Sequence, residues 1–185
     1  MTSRWVVETA PRKSVPVRWR AYSVDIKNEN VEITEEHRSS ERAGRVALRV
    51  VEAVWAEHGD APIGRLYTEI GNRFHLQDDL TLDAVAAALE STGLGPNFMA
   101  AADDEKWDAE IRGSMTEAIA QVGDEVGVPI MVFSDGSRKA GISGPIMSPS
   151  VTGEPALALW DNVVGLAWNP NVFELKRSRT TGPIL

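Results

Sequence analysis

The stretch Gly127-Val128-Pro129-Ile130-Met131-Val132-Phe133 decides how the rest of the chain is read. It is a small-residue turn, an X-Pro bond and a run of apolar strand formers. Proline has no N–H to give to a sheet ladder, so it sits at the first residue of a strand or on an edge. The residue before it is pushed toward extended geometry. Val128-Pro129 is therefore predicted to open a strand over Pro129–Ser134, with Val128 held extended beside it. X-Pro bonds are trans in most cases and cis in roughly 5% of folded examples, and the isomer at this bond bears on everything that follows.

Downstream, Asp135-Gly136 is a hairpin turn signal, and period-2 patterning predicts a second strand over Lys139–Ile146. Gly153-Glu154-Pro155 then opens a helix carrying Leu157, Leu159, Trp160, Val163, Val164 and Ala167, closed by Asn169-Pro170. Upstream, Ser14–Val24 alternates. Val15, Val17, Trp19 and Ala21 share one face and Arg18, Arg20 and Tyr22 the other, which predicts another strand. Between these regions the period is helical almost throughout. Val46, Val50 and Val54 recur at i, i+4 and i+8, with Gly59 suited to the helix end. Pro62 opens the next helix. Thr81 caps a third, closed by Gly93. Pro96 starts a short one, and Asp103 or Asp104 caps a longer one through Trp107, Ile111, Met115, Ile119 and Val122. Thr2–Thr9 suits either the later turns of a helix stopped by Pro11 or a frayed arm.

Strand regions separated by a long helical block imply an α/β sheet with a helical insertion. The expected division is residues 1–33 and 123–185 in one domain and residues 34–122 in the insertion. At 185 residues the chain is long enough to bury roughly 70% of its unfolded surface. It contains no cysteine, which excludes disulfides, thiolate metal sites and a thiol nucleophile within these residues. A net charge of -8 argues against a nucleic-acid footprint. The basic cluster Lys176-Arg177-Ser178-Arg179 reads as solvated tail. No secretory signal and no run of ~18 apolar residues is visible, so the expected location is the cytoplasm, with no membrane partner.

Chemistry is sparse. His37, His58 and His75 do not cluster, and no His-x-x-x-His spacing exists, so no metal is expected. Asp78-Asp79 and Asp103-Asp104 suit caps and loops better than an acid/base pair. Gly141-Ile142-Ser143-Gly144-Pro145 lacks the Lys-Ser/Thr of a phosphate loop and the Gly-x-Ser-x-Gly elbow of a hydrolase. The residues by themselves supply no catalytic set.

A resemblance adds to this reading. Thr2-Ser3-Arg4-Trp5, Asn28-Glu29-Asn30, Leu66-Tyr67-Thr68 with Gly71-Asn72-Arg73 and His75, Val122-Gly123-Asp124-Glu125-Val126-Gly127 with Pro129, Gly144-Pro145, and Phe173-Glu174-Leu175-Lys176-Arg177 with Arg179-Thr180 occur in this order along nearly the whole chain. In that order and spacing the sequence resembles the DsbA-family thioredoxin-fold oxidoreductases. It is most similar to the actinobacterial mycothiol-dependent nitroreductases and disulfide oxidoreductases. The resemblance implies a thioredoxin-like α/β fold with a large all-helical insertion. It also implies a cis Pro129 and a Val128 backbone offered to a bound thiol. Asn28 and His37 are the further substrate-binding candidates by position, expected to share a cleft with Val128 and Pro129 in the case of Asn28. Mycothiol is the implied co-substrate, with no permanently bound cofactor. Trp5 and Trp160 are expected in the core.

The family's Cys-Pro-x-Cys motif would align just before Thr2, so its first strand and both cysteines have no counterpart here. The expectation is that some twenty residues carrying them lie upstream of Met1. The alternatives are a redox-inactive thioredoxin-fold protein that binds a small thiol or a protein partner, and the glutathione-dependent isomerase branch of the fold. That branch wants a serine near the start of the first helix, and Ser3 lies too far along to fill the place.

Overall fold

The structure is a computed structural model and describes residues 1–178, 180 and 181. Arg179, part of the basic cluster and of the resemblance, lies outside the described residues. The protein is mixed α/β, mostly helical, with one two-stranded sheet among the described residues. The chain divides into two compact units, Met1–Val17 with the chain from Glu117 onward, and Arg18–Thr116.

The first unit opens with helix α1, Thr2–Arg12, which carries Pro11 inside its last turn. The N-terminal residues are thus helical rather than frayed. Trp5 is fully buried, its indole Nε1 donating to the Ala156 carbonyl at 3.0 Å. Its ring lies 5.4 Å from that of Trp160, which in turn meets Phe133 edge-on at 5.9 Å. Both tryptophans belong to the core, since an indole buries a large apolar area once its N–H finds a carbonyl. The Thr2 hydroxyl donates to the Pro145 carbonyl, and the Gly153 N–H donates to Glu8. The first bond ties α1 to the segment after β2, and the second to the start of the last helix, α7 (Gly153–Ala167).

Strand β1, Ile130–Ser134, pairs antiparallel with β2, Lys139–Ser143, in the register Ile130 to Ser143 through Ser134 to Lys139. The turn between them is organised by Asp135. Its carboxylate accepts the N–H groups of Ser137 and Arg138 and the Arg138 guanidinium. This is the Asx arrangement that makes aspartate a turn former, and those bonds hold its carboxyl well below the usual range. β2 stops three residues before the expected Ile146. Gly144 takes a positive φ of 104°, and Pro145 has no N–H with which to extend the ladder. Gly141 has a separate role. A side chain there would meet Val122 Cγ1 at 2.7 Å and the Gln121 Cβ at 2.9 Å, so only a glycine lets the strand lie against the end of the preceding helix.

The second unit holds the short α2, Val24–Lys27, the long α3, Glu35–His58, then α4, Ile63–Leu76, α5, Leu82–Ser91, a 3₁₀ segment Pro96–Asp103, and most of α6, Trp107–Val122. The ends follow from the sequence. The Thr34 and Thr81 hydroxyls accept the N–H groups of His37 and Ala84, satisfying donors that the first turn leaves free. Gly59 and Gly93 take positive φ at the ends of α3 and α5. The apolar stripes of α3, α4 and α5 meet in one core containing Val50, Val54, Leu66, Phe74, Val85 and Leu89.

The expected strand over Ser14–Val24 is not formed. Residues 15–23 belong to neither helix nor strand, although burial still alternates, with Trp19 and Ala21 inward and Arg18 and Arg20 exposed. At Ala21 it is side chains, not a neighbouring strand, that satisfy the backbone. The Ser114 hydroxyl donates to the Ala21 carbonyl at 2.7 Å, and the Ala21 backbone also bonds to the Glu52 carboxylate. Burial pushes that carboxyl up, opposed by the charge of Arg20. Trp19 packs flat against α4, where a side chain in place of Gly64 would sit 2.8 Å from the indole nitrogen.

Replacing Gly141 with valine is expected to destabilise the protein by about 1–3 kcal/mol through overpacking. The fall of the urea midpoint measures this, and a midpoint equal to wild type would refute the packing role.

Candidate functional site

Val128 stands immediately before β1 and is exposed. The Val128–Pro129 bond is cis, as are Gly144–Pro145 and Ser148–Pro149. The Pro129 carbonyl is occupied, accepting the Gly144 N–H at 2.7 Å. β1 is paired by β2 along one side, and no described strand pairs along the other. Exposed Val132 lies in the middle of this strand. The second unit carries Asn28 and His37. Asn28 ends α2; its side-chain amide donates to Glu41 at 2.8 Å and its carbonyl accepts Arg38 at 3.0 Å. The other carboxylate oxygen of Glu41 is buried without a hydrogen-bond partner. His37 sits in the first turn of α3, exposed, on the wall of a shallow depression shared with Glu32, Ile33 and Thr34. Val128 and Pro129 therefore fall in one compact unit, and Asn28 and His37 in the other.

Around Asn28 the structure assembles an ionic cluster that sequence reading did not single out. Arg45 and Arg49, one turn apart on α3, both grip Asp108 in the first turn of α6. Arg49 does so through Nε and Nη2, each at 2.8 Å, and Arg45 through Nε at 3.1 Å and a second, shorter contact from Nη2. Arg45 also reaches Asp25 at 3.2 Å, and Arg38 approaches the same carboxylate at 3.8 Å. Arg112 takes both oxygens of Glu29. The hydrogen bonds from Arg49 and then Arg45 outweigh burial and hold the Asp108 carboxyl far below the usual range. Bidentate guanidinium–carboxylate pairing fixes orientation as well as charge. The one signal in the sequence was the spacing of Arg38, Arg42, Arg45 and Arg49 along a single helix. Their partners lie up to 63 residues away.

Among the described residues no group of three or more histidine, aspartate or glutamate side chains is placed to hold a metal ion. No described helix is long and apolar enough to cross a membrane.

A mostly helical α/β protein with a proline-headed edge strand fits the thioredoxin-like class suggested by the sequence. Residues 1–177 match the Rv2466c-like family, that of the mycothiol-dependent nitroreductase Rv2466c, and the chain belongs to this family. It is also similar to an uncharacterized protein, Rv2286c, of Mycobacterium tuberculosis (strain ATCC 25618 / H37Rv), at 25% identity over 187 residues that span 99% of this chain and 78% of the relative.

Truncating Asp108 to alanine leaves two arginines without their shared partner, and is expected to cost about 3 kcal/mol or more in urea unfolding. Because the native carboxyl is depressed, its contribution is fully present above the ordinary aspartate range near ~4 and is lost as pH falls below it. The wild-type protein should therefore lose stability over that acid range more steeply than Asp108→Ala. Parallel acid profiles would refute the coupling.

Proposed function

We propose that this chain forms the substrate-receiving part of a mycothiol-linked thiol–disulfide oxidoreductase of the DsbA type. In this reading residues 1–33 and 123–185 build a thioredoxin-like domain and residues 34–122 its helical insertion. The observation that carries the proposal is that no described strand pairs with the far side of β1, which exposed Val128 precedes. Membership of a mycothiol-dependent family supports it. A strand with unpaired N–H and C=O groups can hold an extended thiol-bearing ligand by main-chain hydrogen bonds. Val128 offers its backbone, and Pro129 fixes the chain direction behind it. The redox pair in this proposal is a Cys-Pro-x-Cys motif outside the 185 residues. One cysteine thiolate attacks the disulfide of the substrate and expels one substrate thiol; its partner cysteine then displaces the other, and two equivalents of mycothiol reduce the resulting cysteine disulfide, leaving mycothiol disulfide.

The second reading is a redox-inactive thioredoxin-fold protein that binds a small thiol or a protein partner. The absence of any cysteine from these residues favours it. Mycothiol binding is common to both readings, and redox turnover separates them.

Calorimetric titration with mycothiol tests the shared part. Saturable binding is expected. Val128→Pro, which removes one backbone N–H, should weaken it by about threefold to tenfold. Val128→Ala keeps the backbone and should bind as wild type, and circular dichroism checks that both variants fold. No saturable binding, or equal loss in both variants, would defeat the proposal. Mycothiol-dependent disulfide reduction by the protein expressed with its in-frame upstream codons then decides between the two readings.

A further inference from the structure

A hollow of about 280 Å³ lies in the second unit, lined by Asp25, Glu29, Arg38, Arg42 and Arg45. The three arginines follow the i, i+4, i+7 spacing that brings them to one side of α3. The two carboxylates come from α2 and the loop after it. Every charged group in this wall but one is already committed. Asp25 faces Arg45 and Arg38. Glu29 gives both oxygens to Arg112. Arg38 is pinned by the carbonyls of Asn28 and Val31 at 3.0 and 2.7 Å, and Arg45 by Asp108. Arg42 has no hydrogen bond or ion pair with any described residue.

We propose that this hollow binds the oxyanion group of a small molecule, a carboxylate or a phosphate, with the Arg42 guanidinium as its anchor. The five lining residues carry one more positive than negative charge, in a chain whose net charge is -8. Because each carboxylate is opposed by its own arginine, neither is left to repel an incoming anion. The guanidinium fork matches two oxygens of a carboxylate or phosphate at once. Arg38 and Arg45, held from behind, lend positive potential without having to reorganise. The volume is near the lower bound for ligand pockets, roughly 300 Å³, which suits a compact ligand or the charged end of a larger one. The proposal does not depend on the thiol reading, because every residue it uses lies in the second unit.

The test is a thermal-shift titration of the full 185-residue chain, confirmed by calorimetry. Sodium phosphate and sodium acetate are run separately, each against sodium chloride at equal ionic strength. A saturable rise with phosphate alone identifies a phosphate site, with acetate alone a carboxylate site, and with both a general oxyanion site. Arg42→Ala should weaken the binding by about tenfold or more. Arg42→Lys should fall in between, since an ammonium keeps the charge and loses the fork. Arg65→Ala, on α4 and exposed as Arg42 is but outside the hollow, should bind as wild type. The absence of saturation with either anion, an Arg42→Ala curve matching wild type, or an equal loss in Arg65→Ala would each overturn the assignment. Loss of mycothiol binding with anion binding intact would count against the proposed function alone.

Discussion

One carboxylate, that of Asp108, sets the register of two helices. Arg45 and Arg49 approach it from successive turns of α3, and the first turn of α6 presents it, where negative charge is favoured by the helix dipole. Apolar contacts are non-directional and would tolerate a small slide of α3 along its neighbours. The two guanidinium grips would not, since a shift of one turn would strand a buried charge. Such a cluster need not add stability over an apolar replacement. Its effect here is to fix which residues of α3 face α2. That choice brings Arg38 and Arg42 to the wall they occupy and closes Asp25 behind them.

The helical part of this fold was legible because its signals are local. Thr34, Thr81, Gly59 and Gly93 act at the ends where their chemistry predicts, and the valine spacing of α3 marks its buried face. The segment over Ser14–Val24 was misread for an equally physical reason. Alternation reports that one face is buried, whereas a strand also requires a hydrogen-bonding neighbour. Here Ser114 and Glu52 supply side-chain partners instead. Gly64 and Gly141 illustrate the same limit. Each is required by a neighbour distant in sequence, Trp19 in one case and Gln121 with Val122 in the other, and neither local pattern carries that information.

The candidate site was legible in part. The Val128-Pro129 pair was marked by proline's missing donor and the apolar run behind it, and it stands at the head of β1. Asn28 and His37 came from resemblance, and local pattern distinguishes neither from an ordinary loop or cap residue. The charged cluster escaped because its bonded members are separated in sequence by as many as 83 residues and each by itself reads as a solvated surface charge. Four arginines along one helix, in an acidic protein, were the feature that could have prompted a search for their partners.

The packing of Trp5 against Trp160 has an optical consequence. Two indoles with centroids 5.4 Å apart and planes at 50° have the close, tilted geometry in which their strongest transitions couple, giving a paired signal in far-ultraviolet circular dichroism. One ring belongs to α1 and the other to α7, so the signal exists only while these two helices are docked. The tryptophans of the other unit, Trp19, Trp55 and Trp107, are each partly exposed and contribute no such couplet from this pair. The chain thus carries its own spectroscopic marker for the loosening of one unit, readable without any label.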